Sequence, residues 1–477
     1  MTTRSFTRDE VLRNLPPSSL ALVESVLSVA GGVGARILLV GGPVRDLLLE
    51  RPIRDVDLIV DAADGKSAEA ALEVARRAAP DDARVVEHGR FGTVRIETAD
   101  ASVDLAGLRS ESYARPGALP DVVPGTLEED LARRDFTVNA LAIGLEPGPA
   151  DARLSVIDLL GGLADLKAKR LRVIHRRSFH DDPTRALRAA RLAPRLRFSL
   201  ARETRASLRD ALRDGAFGAV SGDRLRREIE KCFTDAALGL DPPAALKRLS
   251  DWHVLTALEP GLELPQDAVT ALRRFGRITA EPPWRSARYR EWIAGLAIWL
   301  APFAPALRRR AVARLSVRGD AATRIRDFPK FAETTLRQLA KARGRGAVDV
   351  LLAGAGEEEL HALHAIAETP LRRRIERWAA EDRTRRVPIS GAELVAMGLE
   401  GPTVGRVLAR LRAATLDGEI ANREEAMALA EELARRAARR QPTKRRKGAK
   451  ARTKKASKRV ATAPVEVAPE VPGEPST

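Results

Sequence analysis

Between Arg36 and about Gly144, short apolar runs of period two alternate with longer amphipathic ones. ILLV (37–40), DVDLIV (55–60), ARVVEHG (83–89), GTVRIET (92–98) and ASVDLAG (101–107) predict strands. PVRDLLLE (43–50) and SAEAALEVARRAA (67–79) predict helices. The alternation predicts a small α/β head with a mixed sheet. Strand signals stop after Asp158, and amphipathic Ala/Leu/Arg-rich segments continue to about Arg440, for example 185–193, 224–233, 308–315 and 406–415. The most apolar stretch, 292–307, contains Pro302 and Pro305 and is short for a membrane span, so a buried helix is expected there. From Gln441 the chain turns to QPTKRRKGAKARTKKASKRV and then ATAPVEVAPEVPGEPST, which cannot bury a core and predicts disorder. The resulting plan is a helix and linker (1–35), an α/β head (36–150), then helical segments divided as 151–235, 236–330 and 331–440, and a disordered basic extension (441–477).

Composition adds a class of partner to this plan. The 477 residues carry a formal net charge of +17, which suits a polyanion, nucleic acid first among them. The extension alone holds ten Lys/Arg against three Glu. Helical arrays with basic faces suit a long, stiff RNA, although arginine is also simply a good helix former. One cysteine, Cys232, excludes an intrachain disulfide, and the start MTTRSFTRDEVLR has no apolar signal core. Both lead to the expectation of a cytoplasmic protein without a membrane segment. Six His and one Cys argue against zinc.

The densest chemistry is in LLVGGPVRDLLLERPIRDVDLIV (38–60). Gly41 and Gly42 predict a tight strand-to-helix turn, with Pro43 suited to the first helical turn. Gly42 there lets phosphate oxygens approach backbone N–H groups, and Arg45 adds a forked donor for a triphosphate. Asp55 and Asp57, two apart on a predicted strand, point to one face. Like charges so close repel unless a cation joins them. Oxygen-only ligands suit Mg²⁺, and a two-metal site can activate an attacking hydroxyl and steady a leaving pyrophosphate. A bare acidic pair is more often a solvated strand end; the preceding GGPVRD makes the metal reading the stronger one. Asp104, in VDLAGLR, is a candidate third carboxylate and equally a structural one.

In LEEDLARRDFTVNAL (127–141), Arg133 and Arg134 suit a triphosphate and Asp135 suits ribose hydroxyls, although RRD alone also fits a surface charge cluster. In FHDDPTRALRAARLAPRLRF (179–198), Pro183 predicts a helix start with Asp182 as its N-cap. Asp182 and Arg185, three apart, are neighbours on that helix and present an acceptor beside a donor. Cytosine and adenine offer the complementary edge, whereas guanine and uracil offer the reverse. The simpler alternative is a cap plus a salt bridge. Arg188 and Arg191 continue the row at spacing three, which drifts around the helix, so not all four side chains can face one ligand squarely.

These blocks, in this order, resemble the class II tRNA nucleotidyltransferase and bacterial poly(A) polymerase superfamily. GGPVRD, DVD, RRDFTVNAL, IDLLGGLADL (157–166), DDPTRALRAAR and DRLRREIEK (223–231) carry the resemblance across roughly 37–233. PISGAELVAMGLEGPTVGRVLARLRAATLDGEIANREEAMALA (388–430) resembles the tail of the CCA-adding branch. The resemblance implies a polymerase-β-like head, a helical neck (151–235) holding the base-selecting residues, and helical body (236–330) and tail (331–440) domains, the tail for tRNA. It implies nucleotide contacts at Gly42, Arg45, Arg134, Asp182, Arg185, Arg188 and Arg191, and metal binding at Asp55 and Asp57. Three positions depart from the family pattern. Glu50 stands where Gly is usual, Asp181-Asp182 replaces Glu-Asp, and Asp223 replaces Glu.

The activity implied is template-independent addition of CCA, or part of it, to the tRNA 3′ end from CTP and ATP with Mg²⁺. Poly(A) addition to generic RNA 3′ ends and a non-catalytic RNA-binding role are the alternatives. Gly89-Arg90-Phe91 lacks the second basic residue typical of the poly(A) branch and so favours tRNA, whereas the basic extension favours poly(A). Retention of both Asp55 and Asp57 argues against a non-catalytic relative.

Overall fold

The computed structural model describes residues 5–89, 92–145, 152–235, 240–278, 282–284 and 289–439. The branch-marking Arg90 and Phe91 and the basic extension 441–477 lie outside the described residues. The chain forms two compact units: Met1–Thr334 with Gly356–Ala367, and Thr335–Ala355 with Glu368 onward.

The first unit begins with a mixed eight-stranded sheet. Its strands are β1 (Ser5–Thr7), β2 (Ala35–Val40), β3 (Asp57–Ala62), β4 (Arg84–His88), β5 (Thr93–Glu97), β6 (Ser102–Gly107), β9 (Leu141–Gly144) and β10 (Arg153–Asp158), and a separate hairpin pairs β7 (Arg109–Ser112) with β8 (Asp121–Pro124). The sheet order is β1-β10-β9-β2-β3-β6-β5-β4, with β3 and β6 parallel and the other neighbours antiparallel. Leu38, Val40, Ile59, Ala140 and Ala142 bury one face with Leu108 and Leu131. Helices Leu20–Gly32 and Ser67–Ala78 lie against the sheet as well, and the Val23, Val26, Ala71 and Val74 side chains are wholly buried.

Four expectations need correction. The stretch expected as helix and linker opens with β1, which completes the sheet by pairing with β10 from the far end of the head. Two-residue strands, Arg170–Leu171 and Ser199–Leu200, pair after Asp158, where none was expected. Strand β3 starts at Asp57, so Asp55 lies in a bend before it; β2, the antiparallel partner, has already turned into a helix at Gly41, leaving no ladder there. The apolar stretch 292–307 is two helices, Glu291–Leu300 and Pro305–Arg314, broken around Pro302, whose ring nitrogen has no hydrogen to donate.

Among the described residues, the rest of the first unit is helices and their connections apart from that short strand pair. Helix Thr184–Leu196 packs against Gly222–Thr234 and Pro242–Asp251. Among the described residues no helix is long and apolar enough to cross a membrane.

The second unit is built around Pro402–Asp417, which packs on Gly344–Leu352 and on Arg423–Arg439. Leu394, Leu399, Val407, Leu411 and Ala426 form its core. Its short helix Gly391–Ala396 begins with a reciprocal capping box between Ser390 and Glu393.

Candidate active site

The end of β2 is shaped by Gly41. Its φ is +75°, a conformation that favours glycine, and a Cβ there would come within 2.7 Å of Arg134 Nη1. Helix Gly42–Leu48 follows, with Pro43 in its first turn. Gly42, Arg45, Asp57, Arg134, Asp135, Asp182, Arg185, Arg188 and Arg191 all line one cavity of about 500 Å³. Asp55 and Asp104 are not among its lining residues.

The acidic corner follows from sheet register. Asp57 on β3 is the direct partner of Asp104 on β6, and Asp104 is the partner of Arg95 on β5. Partners across neighbouring strands share a face. Arg95 donates Nε to Asp104 Oδ1 at 2.6 Å and Nη2 to Oδ2 at 2.7 Å. Asp104 therefore has a structural cation already. Burial pushes the Asp57 carboxyl up to about 6, with the Asp104 charge and then Asp55 adding to the rise, against Arg134 and Arg95. A carboxylate so crowded by its own kind is a natural place for a cation. Among the described residues no group of three or more His, Cys, Asp or Glu is arranged to hold a metal ion.

The cationic wall depends on Asp130, which the sequence reading passed over. Its carboxylate is wholly buried. Oδ1 accepts from Arg133 Nε and Nη2 at 2.9 and 2.6 Å, and Oδ2 from Arg134 Nη2 at 2.9 Å. The spacing of three and four residues was the available signal. Arg133 Nη1 also donates to Glu111 on β7 at 2.9 Å, and Tyr113 donates its hydroxyl to the other Glu111 oxygen at 3.0 Å. Burial, then Glu111, push the Tyr113 hydroxyl up to about 12, so it stays a donor. Arg45 is buried against Asp46 and Asn139; Asp46 also takes Arg195 at 3.0 Å.

Asp135 is buried. Burial pushes its carboxyl up, but Arg188, the Asn139 amide, Arg185 and the Phe136 N–H together bring it below the usual aspartate range. Oδ1 accepts from the Phe136 N–H and Asn139 Nδ2 at 2.8 and 2.9 Å. Oδ2 accepts no hydrogen bond and faces Arg188 Nη2 at 3.0 Å, off the N–H axis.

Asp182 and Arg185 both line the cavity, but each is held by other groups. Helix Thr184–Leu196 has Pro183, not Asp182, at its cap position. Asp182 Oδ1 nevertheless accepts from the Thr184 N–H and hydroxyl, at 3.0 and 2.6 Å, and from Arg224 Nη2 at 2.7 Å. The expected side-chain pair with Arg185 gives way because Asp182 precedes the helix with φ −135° and ψ 92°. Arg185 instead donates to Ser178 Oγ at 2.6 Å and to the Arg133 carbonyl at 2.7 Å. The drift along the helix shows at Arg191, which meets Glu228 at 2.9 Å and Asp235 at 2.9 Å. Of the substituted positions, Asp181 lies 3.7 Å from His175, Asp223 pairs with Arg226 at 3.1 Å, and Glu50 has φ +55°. A left-handed backbone suits the glycine usual at Glu50.

Residues 37–172 match the Poly A polymerase head domain family. The A-adding tRNA nucleotidyltransferase of Geobacter sulfurreducens is 30% identical over 435 residues, covering 88% of this chain and 48% of that protein. The CC-adding tRNA nucleotidyltransferase of Deinococcus radiodurans is 31% identical over 421 residues, covering 87% of this chain and 94% of that protein. The chain thus spans about half the length of the first relative and nearly all of the second. The Thermotoga maritima CCA-adding enzyme complexed with tRNA has a similar structure, with a TM-score of 0.64 and 27% identity, covering 91% of this chain and 99% of that one. Other matched structures are CCA-adding enzymes in complex with CTP and with ATP.

Proposed function

The chain belongs to the tRNA nucleotidyltransferase family, and from that premise we propose that it adds CCA, or part of it, to the 3′ end of tRNA from CTP and ATP. The observation that carries this reading is one cavity shared by Asp57, Arg134, Asp135, Asp182, Arg185 and Arg188. In the reaction the RNA 3′-hydroxyl oxygen bonds to the α-phosphorus, the bond to the β-phosphate bridge breaks, and pyrophosphate leaves.

Arg134, lying over the Gly41 turn, attracts the triphosphate. Asp135, kept in its charged form at the cavity wall, accepts from ribose hydroxyls. Asp182 and Arg185 offer the acceptor and donor that cytosine and adenine both match. Nucleotidyltransferases of this family generally use divalent metal ions. The all-carboxylate donor set and the crowded Asp57 suit Mg²⁺. Asp57 and Asp55 would hold it, and the triphosphate would add the oxygens the protein lacks. Bound there, the ion lowers the charge on the reacting phosphates and favours the deprotonated hydroxyl. Asp104, occupied by Arg95, is better suited to shaping the field around Asp57.

The A-adding and CC-adding names of the two relatives favour a second reading, in which this chain completes only part of the sequence. Incubation with tRNA lacking its end and each nucleotide separately, read by product length, tests both. Growth by three residues with CTP and ATP supports full CCA addition. Growth by two residues with CTP that ATP does not extend assigns CC addition, and growth with ATP only of tRNA already ending in CC assigns A addition. Long adenosine tracts on any RNA would replace the tRNA reading with poly(A) addition.

A further inference from the structure

Asp130 is a wholly buried carboxylate with two arginines on it, one on each oxygen. Leaving a carboxylate buried is costly unless it is paired and hydrogen-bonded, so its position constrains its partners as strongly as they constrain it. It sits on helix Leu127–Ala132, whose N-terminus is fixed by a capping box between Thr126 and Glu129. Arg134 reaches from this anchor to the Gly41 turn, where a Cβ would come within 2.7 Å of Nη1. Arg133 is anchored twice, to Asp130 and to Glu111, and its carbonyl accepts from Arg185 Nη2 at 2.7 Å. One carboxylate thus sets a cation at the turn and a backbone acceptor behind the base-facing arginine.

We propose that Asp130 is a positioning residue: its buried carboxylate fixes Arg134 for the triphosphate and, through Arg133, fixes Arg185 for the base. The inference rests on the nucleotide-binding reading of the cavity. Asp130 itself does not line that cavity and acts only through the arginines.

The test uses the full chain and its Asp130→Asn, Arg134→Lys and Arg134→Ala variants, with CTP and ATP binding measured by calorimetry alongside kcat, KM and thermal melting. Asp130→Asn keeps the shape and removes the charge. It is expected to weaken both nucleotides about ten- to a hundredfold, through KM far more than through kcat. Discrimination of C and A from U and G should narrow with it. Arg134→Ala should cost a similar factor, and the double variant should lose little more than either single one, because both changes break one contact. Arg134→Lys keeps the charge but loses the fork that Asp130 holds, so it should bind nearly as poorly as Arg134→Ala. Parental nucleotide binding in folded Asp130→Asn, or fully additive losses, would overturn the proposal. If Asp130→Asn does not fold, Arg134→Lys decides, and parental affinity in it rejects the clamp. A parent protein that binds neither nucleotide rejects the cavity reading and the clamp with it, whereas binding by the parent and by Asp130→Asn alike rejects the clamp alone.

Discussion

The cavity of the first unit and the arginine cluster of the second are made from the same two residue types and work in opposite ways. In the second unit Asp349, almost wholly buried, takes Arg412 Nε at 2.6 Å and Nη2 at 2.8 Å, and the Trp378 ring N–H at 2.8 Å. Arg412 gives further hydrogen bonds to the Arg385 and Asp382 carbonyls. Asp382, wholly buried, takes Arg345. In the first unit Arg188 faces one Asp135 oxygen, and 47% of its side chain is exposed. Arg412, with these donors spent on a buried carboxylate and on carbonyls, is part of the scaffold. Arg188, with one carboxylate contact and about half of its side chain exposed at the cavity, can receive a phosphate or a base. The number of arginines does not separate the two cases, but their partners do.

The contrast breaks most sharply at Asp57. Asp57→Ala is expected to lower nucleotide incorporation about a hundredfold or more while tRNA affinity stays near parental. Incorporation within tenfold of parental, in a radiolabelled extension assay, would remove the metal role. Arg412→Ala should do the reverse: a stability loss of about 3 kcal/mol by denaturant melting, from a buried carboxylate left short of its partner, with nucleotide KM unchanged. Raised nucleotide KM in that variant would erase the distinction between the units.

A finer test concerns the base. Arg185→Ala and Asp182→Asn are expected to cut the preference for C and A over U and G about ten- to a hundredfold in single-nucleotide assays. If Asp182 serves only the turn that holds Thr184, its asparagine variant will keep parental selectivity, because asparagine caps as well.

The pH response sharpens the acidic corner. Asp57 titrates near 6 in the folded chain against an ordinary value of 3.8. The folded state therefore holds the proton more tightly, and this contribution to stability is full below pH 3.8 and is lost as pH rises through about 6. Without divalent metal, the slope of melting temperature against pH between 4 and 6 should lie lower in the parent than in Asp57→Asn. Identical slopes would show that folding does not raise the Asp57 carboxyl. The smallest effect is at the left-handed residue after the first helix of the site. Glu50→Gly should stabilise by about 0.5–1 kcal/mol, measured as a raised denaturation midpoint, with activity unchanged.

Much of the site was legible because its pieces are short in sequence. The GGPVRD turn, Asp57, the RRD block and the row from Asp182 to Arg191 could each be read locally, and the structure gathers them around one cavity. Partnerships set by sheet register could not be read this way. The pairing of Asp104 with Arg95 could not be read without knowing that the two stand opposite each other on neighbouring strands. Glu111 and Tyr113 were missed because β7 is an irregular four-residue strand with no apolar alternation. Asp130 had a visible helical spacing to both arginines but sat in an acidic first turn, where such residues usually face water. The bend at Asp55 was invisible because strand ends are set by the neighbouring strand rather than by the residues themselves.

The sheet order also governs how this protein can be made. Strand β1 pairs with β10, and Ser5 lies opposite Ser155, so the two partners are separated by nearly the whole head. Strands β2 to β6 can meet as they leave the ribosome, but β1 waits for about 150 further residues, on the order of ten seconds or more of synthesis. Its neighbour in the final sheet, β10, in turn closes onto β9. Strand β1 is therefore among the last to dock, and a nascent chain halted before Arg153 would leave the open edge of β9 exposed to other strands.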